Sequence, residues 1–153
     1  ALKGKEIVRL RLSGGSPERL YAVSGVTKLV GFDRGSPDRL LVVSEDEAAR
    51  PILAWLSIKT RRIVPIPYDS ASAEDRRMVE HVRGWDRVYG DTSVYVAAVA
   101  EHLLGGTVES ANVFLTPGNG KPINVSRCEQ ADCAEPSLSP DRRFAVFVKA
   151  KHE

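Results

Sequence analysis

The apolar residues of this chain come in short runs, and that brevity limits the fold more than any other feature. Leu40-Leu41-Val42-Val43, Ile52 to Ile58 and Ile63 to Ile66 are aliphatic, largely β-branched stretches of strand length, each bounded by charge, proline or serine. Little separates one from the next, so they read as a meander. The same triplet returns downstream as Val94 to Val99, Asn112 to Thr116 and Pro122 to Ser126. The last two flank Pro117-Gly118-Asn119-Gly120-Lys121, where Asn-Gly predicts a hairpin turn because both residues tolerate positive φ. One segment departs from this pattern. Ser72-Ala73-Glu74-Asp75 opens with a hydroxyl cap, Met78, Val79 and Val82 share a helical face, and Gly84 stands at the stop position, which predicts a helix of about three turns near 73–83. Its charges Arg76, Arg77, Glu80 and Arg83 read as a solvated face.

The turns that start strands also repeat. Gly35-Ser36-Pro37-Asp38-Arg39 leads into Leu40 to Val43, and Ser139-Pro140-Asp141-Arg142-Arg143 leads into Phe144 to Val148. Pro presets φ at the second turn position, and Ser and Asp bond nearby backbone, so the motif has a physical reason to precede a strand. Gly90-Asp91-Thr92-Ser93 is a degenerate copy about midway. A period of about fifty residues, with roughly four strands per unit, has the dimensions of a propeller blade.

These segments resemble the TolB-type β-propeller repeat, whose pattern is Ser-Pro-Asp-Gly, a basic residue, and an apolar strand ending in Phe or Tyr and Val. The copy at Ser139 is the better match and places Arg142 where the family has Gly; the copy at Ser36 lacks that Gly. Ser16-Pro17-Glu18-Arg19-Leu20 is too close to the second copy to be in register and reads as an outer hairpin or coincidence. The resemblance spans most of residues 27–149. It implies a mainly β fold of antiparallel four-stranded propeller blades, about three blade equivalents, with the one short helix. The expected organisation is a single propeller-like domain over 1–153: outer strands in 1–26, a blade in 27–68, a helical insertion in 69–84, a blade in 85–127 and a partial blade in 128–153.

The two ends do not balance in this scheme. Glu6 to Leu12 and Leu20 to Ser24 are surplus strands at one end, while the unit formed by Pro136 to Ser139 and Arg143 to Lys149 is two strands short at the other. One split blade is implied. Three blades are fewer than the four or more of familiar rings, so the sharing is expected between two chains, in a homodimer of six blades.

No chemistry announces itself. The chain has no Gly-x-Ser-x-Gly elbow, His-Glu-x-x-His pair, Walker loop or acidic calcium ladder, so no catalytic residue, cofactor or metal is expected. Its three histidines, His81, His102 and His152, read as surface residues; Asp86, Asp91 and Glu101 gain no partner from sequence. Trp55, Trp85, Tyr89 and Tyr95 could form a ligand-stacking set but read better as packing between sheets. Asn124-Val125-Ser126 matches the glycosylation acceptor. Cys128 and Cys133, isolated in a polar stretch, are expected to form a disulfide in an exported protein, periplasmic or extracellular; two free thiols in a cytosolic one is the other reading.

Lys and Arg number 22 against 20 Asp and Glu, a balance that points away from nucleic acid, and no apolar run is long enough for membrane insertion. Ala1 is not Met, so removal of a signal peptide, an upstream domain or a tag is expected. Two functions follow. The resemblance implies a noncatalytic binding or scaffold module for a protein, peptide or glycan partner. The alternative is the propeller portion of a larger serine-peptidase-like hydrolase.

Overall fold

The computed structural model describes residues 5–22, 25–33, 35–66, 86–89 and 92–152. Twelve strands in this set form three four-stranded sheets, antiparallel throughout. Sheet B is a meander of β3 (Val26–Asp33), β4 (Ser36–Glu45), β5 (Pro51–Ser57) and β6 (Ile63–Pro65). Sheet C is a second meander of β7 (Asp86–Tyr89), β8 (Thr92–Leu103), β9 (Gly106–Thr116) and β10 (Ile123–Asn124). Sheet A draws on both ends of the chain: β11 (Ala131–Leu138) and β12 (Phe144–Lys151) are continued by β1 (Lys5–Arg11) and β2 (Glu18–Ala22). The helix expected near 73–83, together with His81 and Trp85, lies outside the described residues.

Sheet A corrects the expectation that strands are shared between chains. β1 pairs with β12 of the same chain over seven registered positions, from Lys5 opposite Ala150 to Arg11 opposite Phe144. The surplus and the missing strands therefore meet intramolecularly. The split sheet is real; the argument that one chain cannot complete it is overturned. Ser16-Pro17 precedes β2, the outer strand of this sheet, so the third copy of the motif marks an outer hairpin.

Sheet A is covered on both faces along β12, which is why Phe144 to Val148 read as an unbroken apolar run rather than an alternating one. Ala145, Val146, Phe147 and Val148 are all buried in succession, as are Ile7 and Val8 across from them. On one side Ile7, Val146 and Val148 pack with Leu29, Phe32, Leu40, Val42 and Leu56 of sheet B. On the other, Val8, Ala145 and Phe147 pack with Val94 and Val113 of sheet C. The far face of sheet B gathers Val30, Leu41 and Val43 against Leu53, Trp55 and Ile66.

The turn motifs turn out to differ. In the Ser139 copy, the Ser139 hydroxyl donates to Asp141, Asp141 Oδ1 accepts the Arg143 N–H at 3.1 Å, and Arg142 N–H donates to the Ser139 carbonyl at 2.9 Å. Arg142 sits at φ +58°, a left-handed conformation that arginine occupies under strain. Ser36-Pro37-Asp38, by contrast, is already strand, with Ser36 opposite Asp33. The Asn119-Gly120 hairpin also forms for a different reason than expected. Gly120 N–H donates to the Pro117 carbonyl at 3.0 Å and no residue of the turn has positive φ. A Cβ on Gly120 would meet Pro117 Cγ at 3.2 Å, tighter than an ordinary contact, so crowding rather than φ is what glycine relieves there.

Candidate interaction surface

Sheet edges expose backbone donors that must find partners, and in this molecule side chains supply them. β3 and β11 are each the first strand of their sheet and lie against one another. A bulge in β11 between Ala134 and Ser137 turns its side chains toward β3. Glu135 Oε2 accepts the Leu29 N–H at 2.8 Å, and Ser137 Oγ accepts the Phe32 N–H at 3.0 Å. At the opposite edge of this interface Arg61 donates to the Arg19 and Leu20 carbonyls of β2, at 2.7 and 2.9 Å, and to Glu18 at 3.0 Å. Hydrogen bonds from Arg9 first, with Arg61 adding to them, hold the Glu18 carboxyl below its ordinary value. Sheets A and B are thus fastened at inner and outer edges.

Beside the interface between sheets A and C, Cys128 and Cys133 form the expected disulfide with Cα atoms 6.3 Å apart, closing a short ring between the segment after β10 and β11. Both are buried, Cys133 within β11, so the bridge belongs to the core rather than to a polar surface loop. Asn112 of β9 holds the Cys128 end. Its Oδ1 accepts from the Cys128 N–H at 2.7 Å and its Nδ2 donates to the Ser110 and Cys128 carbonyls at 3.1 and 3.4 Å. The same Oδ1 accepts from Asn124 Nδ2 at 3.2 Å, so the acceptor nitrogen of the glycosylation match is engaged inside the fold. Asp132 Oδ1 accepts the Ala111 N–H at 2.8 Å, and Asp132 Oδ2 faces His152 Nε2 at 3.1 Å. The Ala111 N–H foremost, then His152, holds the Asp132 carboxyl below its ordinary value.

Against these closed interfaces one element stands out into solvent. Among the described residues β8 and β9 form the longest ladder, registered from Ser93 opposite Thr116 to Leu103 opposite Gly106. The turn between them is Leu104-Gly105, and Gly105 at φ +108° supplies a conformation that a side chain would resist. The outer half of this hairpin, His102 through Glu109, is exposed at every position. Its tip is aliphatic, with Leu103 42%, Val108 37% and Leu104 109% exposed. From Val88 to Gly120 there is no Lys or Arg, while Asp91, Glu101 and Glu109 are acidic. Glu101 reaches the Gln130 N–H at 3.3 Å and ties the arm to the disulfide segment.

The residues weighed from sequence are scattered. His102 is exposed on the arm, 3.3 Å from Thr107 Oγ1, and His152 lies at the chain's end beside Asp132. Trp55 packs on the far face of sheet B beneath the Arg39 guanidinium, 4.0 Å from its ring centroid. Tyr95 stacks on Phe114 at 5.8 Å. Asp86 and Tyr89 fall in β7, and Asp91 lies outside the described residues. Among the described residues no three His, Cys, Asp or Glu gather as a metal site, and no helix is long and apolar enough to cross a membrane. Sequence reading missed the arm, although Leu103-Leu104-Gly105-Gly106 and the long cation-free stretch were both visible signals.

No protein-family model, no curated protein and no solved structure matches this chain.

Proposed function

We propose that the chain is a propeller-type segment of an exported protein, of the TolB-like kind, serving as a noncatalytic binding module whose contact element is the β8–β9 arm. The observation that carries this reading is the arm's aliphatic tip, held out from the three-sheet body. A fully exposed leucine at a hairpin turn, beside two further exposed aliphatics, does nothing for the fold and is suited to insertion into a partner. The partner class is protein or peptide rather than glycan, since Trp55 is covered by Arg39 and Tyr95 is engaged with Phe114, leaving aliphatic rather than aromatic anchors outermost. The propeller reading draws support from three sheets built on one strand order, with the first strand of sheet A in contact with the first strands of the other two. The disulfide supports a periplasmic or extracellular setting.

The test is comparative affinity enrichment from the source organism's own extract, with the wild-type chain set beside Leu103→Ser/Leu104→Ser. An identified partner retained by the wild type and lost with the variant is the expected result. Equal retention by both would remove the arm from the interface.

A further inference from the structure

We infer that the open edge of β8, from Ala98 to His102, is a strand-addition site for an extended peptide segment of another protein that carries lysine or arginine. This inference rests on the reading of the arm as a contact element and names which part of the arm binds and the chemistry of what it binds.

Neighbouring contacts fix which backbone groups of the arm point outward. Opposed residues of an antiparallel pair turn their N–H and C=O groups together, inward or outward by turns along the ladder. On β9 the Ala111 N–H goes outward to Asp132 and the Val113 N–H outward to Ser126. Ala98 stands opposite Ala111, so it too points outward, from the other side of the hairpin, and Ala100 and His102 follow by alternation. All three are exposed. Among the described residues β7 pairs with this edge only as far as Tyr95, and no turn or side chain caps the backbone of Ala98, Ala100 or His102.

The rest of the fold treats its edges otherwise. Glu135 and Ser137 take donors of β3, Arg61 takes carbonyls of β2, and β6, β7 and β10 are only three, four and two residues long. Free edges are ordinarily blunted by lysine, proline or a bulge. Val96-Ala97-Ala98-Val99-Ala100 has no lysine or proline, and its register with β9 is unbroken. An edge left in this state is a template for one more strand, whose main chain supplies the hydrogen bonds.

Charge selects the occupant. No Lys or Arg lies from Val88 to Gly120, and Glu109 is exposed on β9 opposite Ala100. Opposed residues share a face, so an added strand sets the residue facing Ala100 in line with Glu109, two strand spacings or roughly 10 Å away. Only the small Ala100 side chain lies between, and an extended lysine or arginine crosses it toward the carboxylate. A second copy of the arm would instead bring acidic strands together.

Amide NMR of the isotope-labelled chain, titrated with the synthetic peptide Thr-Val-Lys-Val-Lys-Val-Thr, tests this. The expected result is saturable shifts centred on Ala98, Ala100 and His102, lost when the peptide is N-methylated at its lysines and weakened at least tenfold when both lysines are replaced by glutamate. Ala100→Pro removes an outward N–H and breaks no bond of the β8–β9 ladder, so it should abolish binding. Glu109→Lys, an exposed change that leaves the melting temperature where it is, should reverse the preference between the lysine and glutamate peptides. Absence of binding at millimolar peptide, shifts centred away from β8, or indifference to N-methylation overturns the inference. So does a wild-type dimer that Ala100→Pro dissolves, which would give the edge to a second copy. An identified partner lost with Leu103→Ser/Leu104→Ser but fully retained by Ala100→Pro would overturn strand addition alone and leave the arm's tip as the contact.

Discussion

Sheet A and the outer half of the β8–β9 hairpin are both antiparallel pairs, yet the fold treats them oppositely. β1 and β12 come from the two ends of the sequence, and their residues are buried on both faces, with Ile7, Val8 and Ala145 through Val148 shared between two cores. The hairpin is local in sequence, closed by a two-residue turn, and solvated from His102 to Glu109. The central sheet derives its order from packing on both sides, whereas the arm derives its order from backbone pairing and from polar tethers at its base, Glu101 to Gln130 and Ala111 to Asp132. Stability is therefore concentrated where the chain ends meet, while the arm's exposed aliphatics, like Val64 and Ile123 elsewhere, lie where little stability depends on them.

The difference predicts very unequal responses to change. Deleting residues 1–25 removes Ile7, Val8 and Leu20 and uncovers β12, so the chain should lose its cooperative melting transition and precipitate, as read by circular dichroism and light scattering. Phe147→Ala empties a position at which sheet A meets sheet C and should cost about 3–5 kcal/mol by chemical denaturation. Replacing both Cys128 and Cys133 by Ala opens a short ring worth about 2 kcal/mol in the chain-entropy model, and the melting temperature should fall by several degrees. At the arm, Leu104→Ser should leave the melting temperature within a degree or so, since surface changes of this kind stay near zero. A large drop there would erase the contrast between the two regions.

Much of the body was legible because apolar periodicity and turn residues report local structure directly. Leu40 to Val43, Ile52 to Ile58 and Ile63 to Ile66 became β4, β5 and β6, and the imbalance of strands at the two ends signalled a split sheet. What the pattern could not say is whether Lys5–Arg11 reaches its own chain's β12, because pairing across the whole sequence leaves no local mark. The arm was underestimated for a related reason. Ala97-Ala98, Glu101, His102 and Thr107-Val108-Glu109 lack the aliphatic density of a buried strand, so the stretches at Val94 and Asn112 read as short when pairing extends both of them to the Gly105 turn. The side chains that fasten the sheets, Asn112, Asp132, Glu135 and Ser137, are polar residues of no recognisable motif; only the edge donors they satisfy reveal their purpose.

A pH-dependent effect lies at the boundary between the two regions. Asp132 caps Ala111 of the arm strand from sheet A, and its carboxyl is held below the ordinary value near 3.8. A depressed folded-state value means that the stabilisation is present above the unfolded value and disappears as pH falls through the folded one. Thermal melting between neutral pH and about pH 3 should therefore show a modest acid loss that Asp132→Asn reduces. An acid limb unchanged by that substitution would assign the loss to other carboxylates.

The intrachain closure of sheet A is the claim from which the rest follows, and a designed cross-link tests it most directly. Lys5 and Ala150 are opposite one another on β1 and β12. With Lys5→Cys and Ala150→Cys introduced together and oxidised, the account predicts a cross-linked product at the mass of one chain, 16.7 kDa, with peptides around positions 5 and 150 joined on mapping. A product at twice that mass, joined through the same two positions, would show that β1 completes the sheet of another chain and would contradict the fold described here.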